Sequence, residues 1–364
     1  MQRELEIFFQ EKGKAMVSRQ AFAIAREQIR PEALRSLNDD IIEKFETEDN
    51  AIEAYKGYRL IAVDGSIIDL PNTKALQERF GFTSNDTGKV FAKAMAMTAF
   101  DVLNKLTLFA ELYRYDESER TRILDIVDGF AELPYYRKSI FLLDRGYPSF
   151  RLFHKMIKNN QNFVVRVSTN TLREIRDCSA DDETIEVLRA GYSISLRVIN
   201  VSVGSGETVK LATNLPGEFT QEELKELYAK RWGVETQFNY VKNKEMLETF
   251  TGESETAVLQ DFYIGILILN VTAVAYREQE DIITKKAGKL RHTYKPSKTQ
   301  LIADIKTNWV KMMLGHKSSW LFFRKLNRFA RIKRYAYADI PDRHFDRPVK
   351  SSRSKRSSHP KSPL

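Results

Sequence analysis

Two short apolar stretches of this sequence each end in an aspartate. The first, YRLIAVD, covers residues 58–64 and precedes a Gly-Ser pair that predicts a turn ending the strand; the second, KSIFLLD, covers residues 138–144 and precedes an Arg-Gly pair. Continuous apolar runs of this length are typical of strands buried on both faces. A carboxylate at the end of such a strand is rigidly held and partly desolvated. We therefore expect Asp64 and Asp144 to face the crevice at the carboxyl ends of a sheet, where they suit a hard divalent cation.

The segments around these two stretches alternate between strand and helix patterns. Residues 91–103 and 105–115 predict two strands that form an antiparallel hairpin beside the first strand. Amphipathic patterns predict helices over residues 117–130 and 149–158, and NFVVRVS predicts a further strand over residues 162–168. This alternation indicates an α/β fold, with a mixed sheet covered by flanking helices.

The helical pattern is lost between residues 169 and 211. This segment consists of strand patterns and polar turns, and a structureless loop of that length is improbable in a compact domain, so we expect a β-strand insertion. A helix follows over residues 223–250. Its start is marked by a capping box, T-x-x-E, formed by Thr220 and Glu223.

Four residues of that helix fall on one narrow stripe. At about 100° per residue, Tyr228, Arg231, Glu235 and Lys242 lie within roughly 60° of one another, beside the apolar face. Spacing alone allows a plain solvated face with an Arg231–Glu235 ion pair. A stripe at the edge of the packed face can also reach into a cleft at the end of a sheet.

Two strand-end aspartates and a helix-edge glutamate together form a candidate metal site. Asp64, Asp144 and Glu235 could supply oxygen ligands to a pair of Mg²⁺ ions about 4 Å apart, which activate a water and stabilise the leaving oxygen of a phosphodiester displacement. Asp69 and Asp101 compete for the role, but we expect both to be structural. The reaction class this indicates is cleavage or transfer of nucleic-acid strands.

Charge is concentrated at the end of the chain. Residues 321–364 contain 13 Lys and Arg against three acids, a balance of +10, whereas the whole chain of 364 residues carries +9. Such a segment favours contact with a polyanion, because like charges on one segment repel unless phosphates neutralise them. The stretch from residue 350 onward is too polar to fold alone and is expected to be a flexible tail.

Cysteine content and apolar run length restrict the class of protein further. The only cysteine is Cys178, which excludes an internal disulfide and a Cys-rich zinc site and fits a reduced, cytoplasmic setting. The longest apolar run, residues 262–276, is too short to span a bilayer and predicts a buried helix. We expect no membrane partner.

Several motifs resemble one known family. VDGS (63–66), LLDRGYPS (142–149), TNL (213–215) and LYAKRWGVETQFNYVK (227–242) together look like the insertion-sequence family four DDE transposases of bacteria. That family carries the signature Tyr-x2-Arg-x3-Glu-x6-Lys. The four residues of the stripe match it at every spacing.

The resemblance implies a fold and a set of site residues. The fold would be a ribonuclease-H-like mixed sheet with flanking helices, interrupted by a β-strand insertion before the last catalytic helix. Asp64, Asp144 and Glu235 would hold two Mg²⁺ or Mn²⁺ ions. Tyr228, Arg231 and Lys242 would hold DNA phosphates near the cut. Arg145 is a further candidate phosphate contact, with a structural ion pair as the alternative.

The resemblance also implies a reaction and its partners. Similar enzymes nick the transposon end, form a hairpin on it, reopen the hairpin and join the 3′ ends to target DNA. The expected partners are double-stranded DNA, at the transposon ends and at the target, and a second copy of the chain in a homodimer. The expected location is the bacterial cytoplasm, at the nucleoid. Two alternatives stay open: a metal-dependent nuclease of the same fold, and a DNA-binding protein that has lost catalysis.

Six segments are expected along the chain. They are an N-terminal helical region with a possible role in binding DNA ends, the catalytic core in two parts separated by the β insertion, a basic helical region that could dimerise, and a basic tail. Their predicted bounds are 1–55 for the first region, 56–168 and 212–280 for the core, 169–211 for the insertion, 281–335 for the basic helices and 336–364 for the tail.

Overall fold

The computed structural model divides into two compact units. One unit is Ile42–Leu259, and the other combines Met1–Ile41 with Gln260–Leu364. The residues that the structure describes are 5–6, 8–10, 13–48, 52–133, 136, 138–168, 171–202, 208–231, 250–287, 294–299, 301–303, 305–306 and 336–338.

A mixed β-sheet forms the centre of the unit Ile42–Leu259. Within the described residues it has nine strands, in the order β2-β3-β1-β5-β6-β9-β8-β7, with β4 paired to β3. The strands are β1 (Arg59–Asp69), β2 (Phe82–Ser84), β3 (Val90–Asp101), β4 (Leu106–Arg114), β5 (Ser139–Leu143), β6 (Asn162–Val167), β7 (Asp182–Arg189), β8 (Tyr192–Ser202) and β9 (Thr208–Thr213).

The middle of the sheet confirms the predicted arrangement. β1 pairs with β3 antiparallel and with β5 parallel, and β3 forms the expected hairpin with β4. β5 pairs with β6 in parallel. Every residue of β5 is buried, as its apolar sequence predicts for a central strand covered on both faces.

The three strands after β6 continue the same sheet. β9 pairs with β6, β8 pairs with both β9 and β7, and all three pairings are antiparallel. The segment predicted as a β insertion is therefore built of strands that extend the sheet. It also contains a short helix, α6 (Arg173–Asp177), which the strand patterns did not predict.

Helices cover both faces of the sheet. α4 (Glu119–Ala131) and α5 (Phe150–Lys158) pack on one face, and α7 (Gln221–Lys230) packs on the other. The Thr220 capping box at the start of α7 is present, with both of its hydrogen bonds to Glu223. A further helix, α3 (Lys74–Phe80), was not predicted.

The predicted end of the first strand is wrong. β1 does not turn at Gly65; it continues to Asp69, because β3 pairs with it over its whole second half, as far as Asp69 opposite Lys93. Asp64 therefore lies inside β1, two residues beyond its last pair with β5, Ala62 opposite Leu142. A strand can continue through residues that favour a turn when a neighbouring strand forms hydrogen bonds with its backbone N–H and C=O groups.

The two competing aspartates both have structural partners. Asp101 is fully buried, and its carboxylate accepts hydrogen bonds from Arg59 at 2.8 Å and from Asn104 at 2.9 Å. Asp69 ends β1 and forms an ion pair with Lys93. Both observations agree with the expectation that these two residues are structural.

Helices dominate the described part of the second unit. α1 (Arg19–Glu27) follows an N-cap at Ser18, and α2 (Pro31–Glu48) begins at the proline, where a missing backbone N–H costs nothing. The long helix of this unit, α8, spans Glu255–Ala287 and extends beyond both ends of the apolar run that predicted it. A two-stranded sheet joins β10 (Tyr294–Pro296) to β11 (Ala336–Ala338).

Polar contacts fix α1 and α2 against α8 within this unit. Arg26 donates to Gln260 at 2.7 Å and pairs with Asp261 at 3.0 Å. Asn270 donates to Asn38 at 2.8 Å, and both side chains are buried. These contacts join segments more than 200 residues apart in the chain, since Arg26 and Gln260 are separated by 234 residues.

One stretch of α8 is long and apolar enough to cross a membrane by length and composition alone. This stretch is Glu255–Arg277, and 67% of its most apolar part is buried inside the protein. Burial of that extent is what a core helix shows, and the sequence pattern predicted a buried helix here.

Candidate functional site: an aspartate pair on one face of the sheet

The parallel pairing of β1 and β5 sets the positions of Asp64 and Asp144, which we call the aspartate pair. The last pair of this register is Ala62 opposite Leu142. Continuing it by two residues places Asp64 opposite Asp144, at roughly the 5 Å spacing of neighbouring strands. Because side chains alternate along a strand, both point to the face of Ala62 and Leu142, which α7 covers.

Asp144 is the first residue of a tight loop that follows β5. Its carbonyl oxygen accepts a hydrogen bond from the Tyr147 backbone N–H at 3.1 Å, and the carbonyl of Gly146 accepts one from Arg120 Nε at 2.6 Å. The loop is thus held by its own turn and by the first turn of α4. The Asp144 side chain remains 35% exposed, so a ligand can reach its carboxylate.

Two residues of α7 contact this carboxylate. The Tyr228 hydroxyl donates to Asp144 Oδ1 at 3.3 Å, and Arg231 Nη2 lies 3.9 Å from the same oxygen. The Arg231 side chain is only 4% exposed, and its guanidinium lies 5.6 Å from the centre of the Tyr228 ring. Two of the four residues of the predicted stripe therefore meet the second aspartate.

The protonation state of Tyr228 follows from its surroundings. Burial raises the pKa of Tyr228 to about 12; the positive charge of Arg231 opposes this rise and the negative charge of Asp144 adds to it. The phenol therefore keeps its proton at neutral pH. It acts as a hydrogen-bond donor toward Asp144.

Arg166 on β6 is a site residue that sequence reasoning missed. β5 pairs with β6 up to Leu143 opposite Val165, and one further step places Asp144 opposite Arg166 on the same face. The positive charge of Arg166 also acts on Tyr228. A signal was present in the sequence, because Arg166 is the one cation inside the apolar run NFVVRVS. Only the strand register shows that it stands beside Asp144.

A second set of residues approaches the aspartate pair from the other face of the sheet. A Cβ atom at Gly65 would lie 2.6 Å from Cδ of Glu119 and 2.9 Å from Sδ of Met97. A side chain at this position would displace the flexible ends of Met97 and of Glu119, the first residue of α4. The sequence pattern predicted a turn at this glycine, whereas the structure shows a close side-chain approach inside a strand.

Tyr147 lies between these groups. Its ring is 1% exposed, and its hydroxyl lies within hydrogen-bonding reach of the Glu119 side chain. Burial raises the pKa of Tyr147 well above its usual value, and the negative charges of Glu119, Asp64 and Asp144 add to the rise. The hydroxyl therefore stays protonated among three carboxylates.

The remaining predicted site residues have different outcomes. Glu235 and Lys242 lie outside the described residues, so their predicted roles stay predictions. Arg145 is exposed and forms no ion pair with the residues that are described, which leaves its predicted phosphate contact open. In the same part of the chain, no three His, Cys, Asp or Glu side chains stand close enough to hold one metal ion.

A protein-family comparison matches more than half of the chain. Residues 55–271 match a family described as the transposase DDE domain. The matched range begins just before β1 and ends within α8, so it contains the aspartate pair, Arg166 and the described part of α7.

Two curated proteins show weaker similarity. A Sinorhizobium fredii protein named as transposase y4zB is 24% identical over 186 residues, which cover 45% of this chain and 52% of that protein. A Geobacillus stearothermophilus protein named as a transposase for insertion sequence element IS5377 is 22% identical over 142 residues, covering 36% of this chain and 37% of that protein. The chain thus spans about half or less of the length of these relatives.

One solved structure shows a distant likeness. It is a synaptic complex of the piggyBac transposase with hairpin DNA, with a TM-score of 0.44 and 10% sequence identity, over 75% of this chain and 57% of that one. A score this low carries no argument about the present site.

Proposed function

Because the chain belongs to the family of transposases with a DDE domain, we propose that it cleaves DNA at the terminal inverted repeats of an insertion sequence and joins the 3′ ends to target DNA. The observation that carries this proposal is the aspartate pair. The register of β1 with β5 ends at Ala62 opposite Leu142, and its extension by two residues supports a position of Asp64 near Asp144, whose side chain is open to ligands.

We also propose a narrower family and a fold for the core of this chain. The spacing of Tyr228, Arg231, Glu235 and Lys242 supports the insertion-sequence family four. The strand order β4-β3-β1-β5-β6, with the first three strands antiparallel and the last two parallel to β1, supports a ribonuclease-H-like core.

The aspartate pair fits a divalent cation by its chemistry. Carboxylate oxygens are the preferred ligands of Mg²⁺ and Mn²⁺, and both residues are held by the strand framework. Asp64 and Asp144 would bind the metal, with Glu235 as the third ligand. Two bound ions would activate the attacking hydroxyl and stabilise the leaving oxygen of the scissile phosphate.

The surrounding side chains would hold the DNA and the carboxylates. The Tyr228 hydroxyl donates a hydrogen bond to the Asp144 carboxylate and so orients it. Arg231 and Arg166 lie beside it and would bind phosphates near the cut, with Lys242 and Arg145 as further cations of the same surface. Since every step of transposition is a phosphoryl transfer, one such site can serve nicking, hairpin formation, hairpin opening and joining.

The proposed partners follow from this reaction. The substrate is double-stranded DNA, and a homodimer would bring two transposon ends together. Such an enzyme would act in the bacterial cytoplasm, at the nucleoid.

Cleavage of a duplex that carries the terminal inverted repeat tests the proposal. With Mg²⁺, the wild-type chain is expected to nick this DNA and to give a hairpin product on a denaturing gel. Asp144→Asn should abolish nicking, by at least about a hundredfold, while leaving DNA binding within about twofold, because it removes a metal ligand and no DNA contact. Asp69→Asn, on the same sheet but paired with Lys93, is the matched control and should cleave normally.

Each contrary outcome supports a different alternative. Nicking retained by Asp144→Asn would remove Asp144 from the metal site. Tight binding without cleavage by the wild type would support a DNA-binding protein that has lost catalysis. Cleavage that ignores the repeat sequence would support a nuclease.

A further inference from the structure

Three arginines of the unit Ile42–Leu259 differ from most others in that unit by their lack of a carboxylate partner. Most arginines that the structure describes there pair with Asp or Glu, as Arg122 and Arg197 do. Arg120, Arg145 and Arg151 form no ion pair with any residue that the structure describes, and all three are exposed. Within that part of the chain, their positive charges are available to a ligand.

All three arginines, which we call the arginine cluster, lie around the loop that follows β5. Arg145 is the second residue of this loop, and Arg120 Nε donates a hydrogen bond to the carbonyl oxygen of Gly146 at 2.6 Å. Arg151 is the second residue of α5, the helix that begins after the loop. The loop starts at Asp144, so the arginine cluster borders the exposed member of the aspartate pair.

The packing of α4 brings Arg120 to this loop. Arg120 lies in the first turn of α4, 26 residues before Gly146 in the chain, and α4 and α5 pack on the same face of the sheet. Glu119, its neighbour in sequence, turns its carboxylate toward Gly65 and the Tyr147 hydroxyl. The hydrogen bond to Gly146 uses only Nε, so the two Nη groups of Arg120 can bind a ligand.

We propose that the arginine cluster binds phosphates of double-stranded DNA beside the scissile phosphate. This inference rests on the proposed function, because it assigns a surface to the DNA that the same site would cut. Guanidinium groups suit phosphate through paired N–H donors, and contacts to phosphate position a duplex without reading its sequence. Arg166 and Arg231 lie on the α7 face, whereas α4 and α5 lie on the other, so the DNA contacts cations from both faces of the sheet near Asp144.

The salt dependence of DNA binding tests the proposal. The full-length chain is titrated against a duplex that carries the terminal inverted repeat, without divalent ions, and fluorescence anisotropy gives the affinity from about 50 to 300 mM salt. Each phosphate contact contributes about 0.9 to the slope of log affinity against log salt concentration, so Arg120→Gln, Arg145→Gln and Arg151→Gln should each flatten the slope by about 0.9. The triple variant should bind at least about tenfold more weakly than the wild type at about 100 mM salt. All three side chains are exposed, so the variants should fold as the wild type does.

Two further variants separate phosphate contact from other effects. Arg173→Gln is the matched control, because Arg173 is an exposed arginine of the same unit that pairs with Asp177 at 3.2 Å; its slope should change by less than about 0.3. Arg120→Lys keeps the positive charge and removes the Nε group that binds Gly146. Its slope should equal that of the wild type. A slope like that of Arg120→Gln would show that Arg120 only holds the loop.

The contrary results are distinct. A wild-type slope in the triple variant would overturn the inference, and so would an equal change in Arg173→Gln, since a general loss of positive charge would then explain the weaker binding. If the wild type cleaves the duplex with Mg²⁺ but the triple variant keeps the wild-type slope, this inference alone fails. If the triple variant flattens the slope but the wild type does not cleave, the proposed function fails and the phosphate contacts stand. If the wild type does not bind the duplex, both fail.

Discussion

At the scale of single residues, the number of partners separates a structural aspartate, Asp101, from one that a ligand can reach, Asp144. Asp101 has no exposed surface, and Arg59 and Asn104 saturate its carboxylate. Asp144 is 35% exposed, and a phenol at 3.3 Å and a guanidinium at 3.9 Å leave room for a cation. The same residue type therefore serves two purposes, according to whether protein cations already neutralise it.

Burial predicts losses of stability of unequal size when two paired aspartates are each replaced by asparagine. Asp101→Asn should lower the free energy of unfolding by about 3–5 kcal/mol, because it leaves Arg59 buried without its full counter-charge. Asp69→Asn, which breaks a more exposed ion pair with Lys93, should cost less than about 1 kcal/mol. Urea denaturation of both variants measures the contrast, and equal losses would contradict it.

The raised pKa of Tyr228 predicts how stability depends on alkaline pH. Its folded-state pKa, about 12, lies above the ordinary value of 10.0, so the folded state holds this proton more tightly than the unfolded state. The resulting stabilisation is complete below about pH 10 and is lost as pH rises through 12; for this half-buried residue it is of the order of 1 to 2 kcal/mol.

Denaturant unfolding at several pH values from 9 to 12 checks this dependence. Tyr228→Phe should lose less stability than the wild type between about pH 10 and pH 12, because it has no phenol to deprotonate. Tyr192→Phe is the control, since Tyr192 is an exposed tyrosine. A pH profile of Tyr228→Phe that coincides with the wild type would contradict the assignment.

At the scale of helices and strands, patterns predicted which elements exist better than where they end. Apolar runs were enough to find β1, β5 and β6, and the capping box located the start of α7. The end of β1 was not predictable, because it depends on β3, a segment that is distant until the chain folds. Arg166 was missed for the same reason, since only pairing of β6 with β5 brings it beside Asp144.

The close approach of Glu119 to Gly65 could not be predicted from the sequence. The contact of Glu119 with Gly65 depends on how α4 packs on the sheet, and helical periodicity gives the face of a helix but not the reach of its first residue. The position of Asp144 directly after β5 was predictable, because an apolar strand followed by polar residues indicates the carboxyl edge of a sheet, whereas Asp64 lies inside β1 and not at its end. Their roles as metal ligands stay predictions.

The capping box of α7 gives a prediction at this scale. Thr220→Ala removes the acceptor for the Glu223 backbone N–H, now at 3.2 Å, and should cost about 1 kcal/mol of stability. Because α7 carries Tyr228 and Arg231, DNA cleavage should also fall, by a few-fold. Thr73→Ala removes the N-cap of α3 and is the control. Thr73→Ala should lose a similar amount of stability and cleave DNA as the wild type does. If both variants cleave DNA at the same rate, α7 does not position residues that cleavage needs.

At the scale of the whole molecule, charge is unevenly distributed along the chain. Residues 321–364 carry a balance of +10, so the rest of the chain is close to neutral. Under the proposed function, the carboxylates of the aspartate pair would repel DNA until cations bind. A basic segment elsewhere in the chain can supply the attraction for the phosphate backbone that the site lacks.

Removal of the last 30 residues tests this division. Truncation after Arg334 should weaken DNA binding and flatten its dependence on salt, because seven Lys and Arg leave with the segment. A full-length variant with those seven residues replaced by Gln separates charge from length and should behave as the truncation does. Binding measured by fluorescence anisotropy from 50 to 300 mM salt gives the slope. An unchanged slope would show that the segment does not contact phosphate.

The dependence of the aspartate pair on the pairing of β1 with β5 also determines when the pair can form during synthesis of the protein. Asp64 and Asp144 meet only when β1 pairs with β5, and the hydrogen bond from Tyr228 joins residues 84 positions apart. A ribosome must therefore release most of the chain before the aspartate pair and Tyr228 can come together. Under the proposed function, fragments that end before β5 would not cleave DNA, because they lack Asp144.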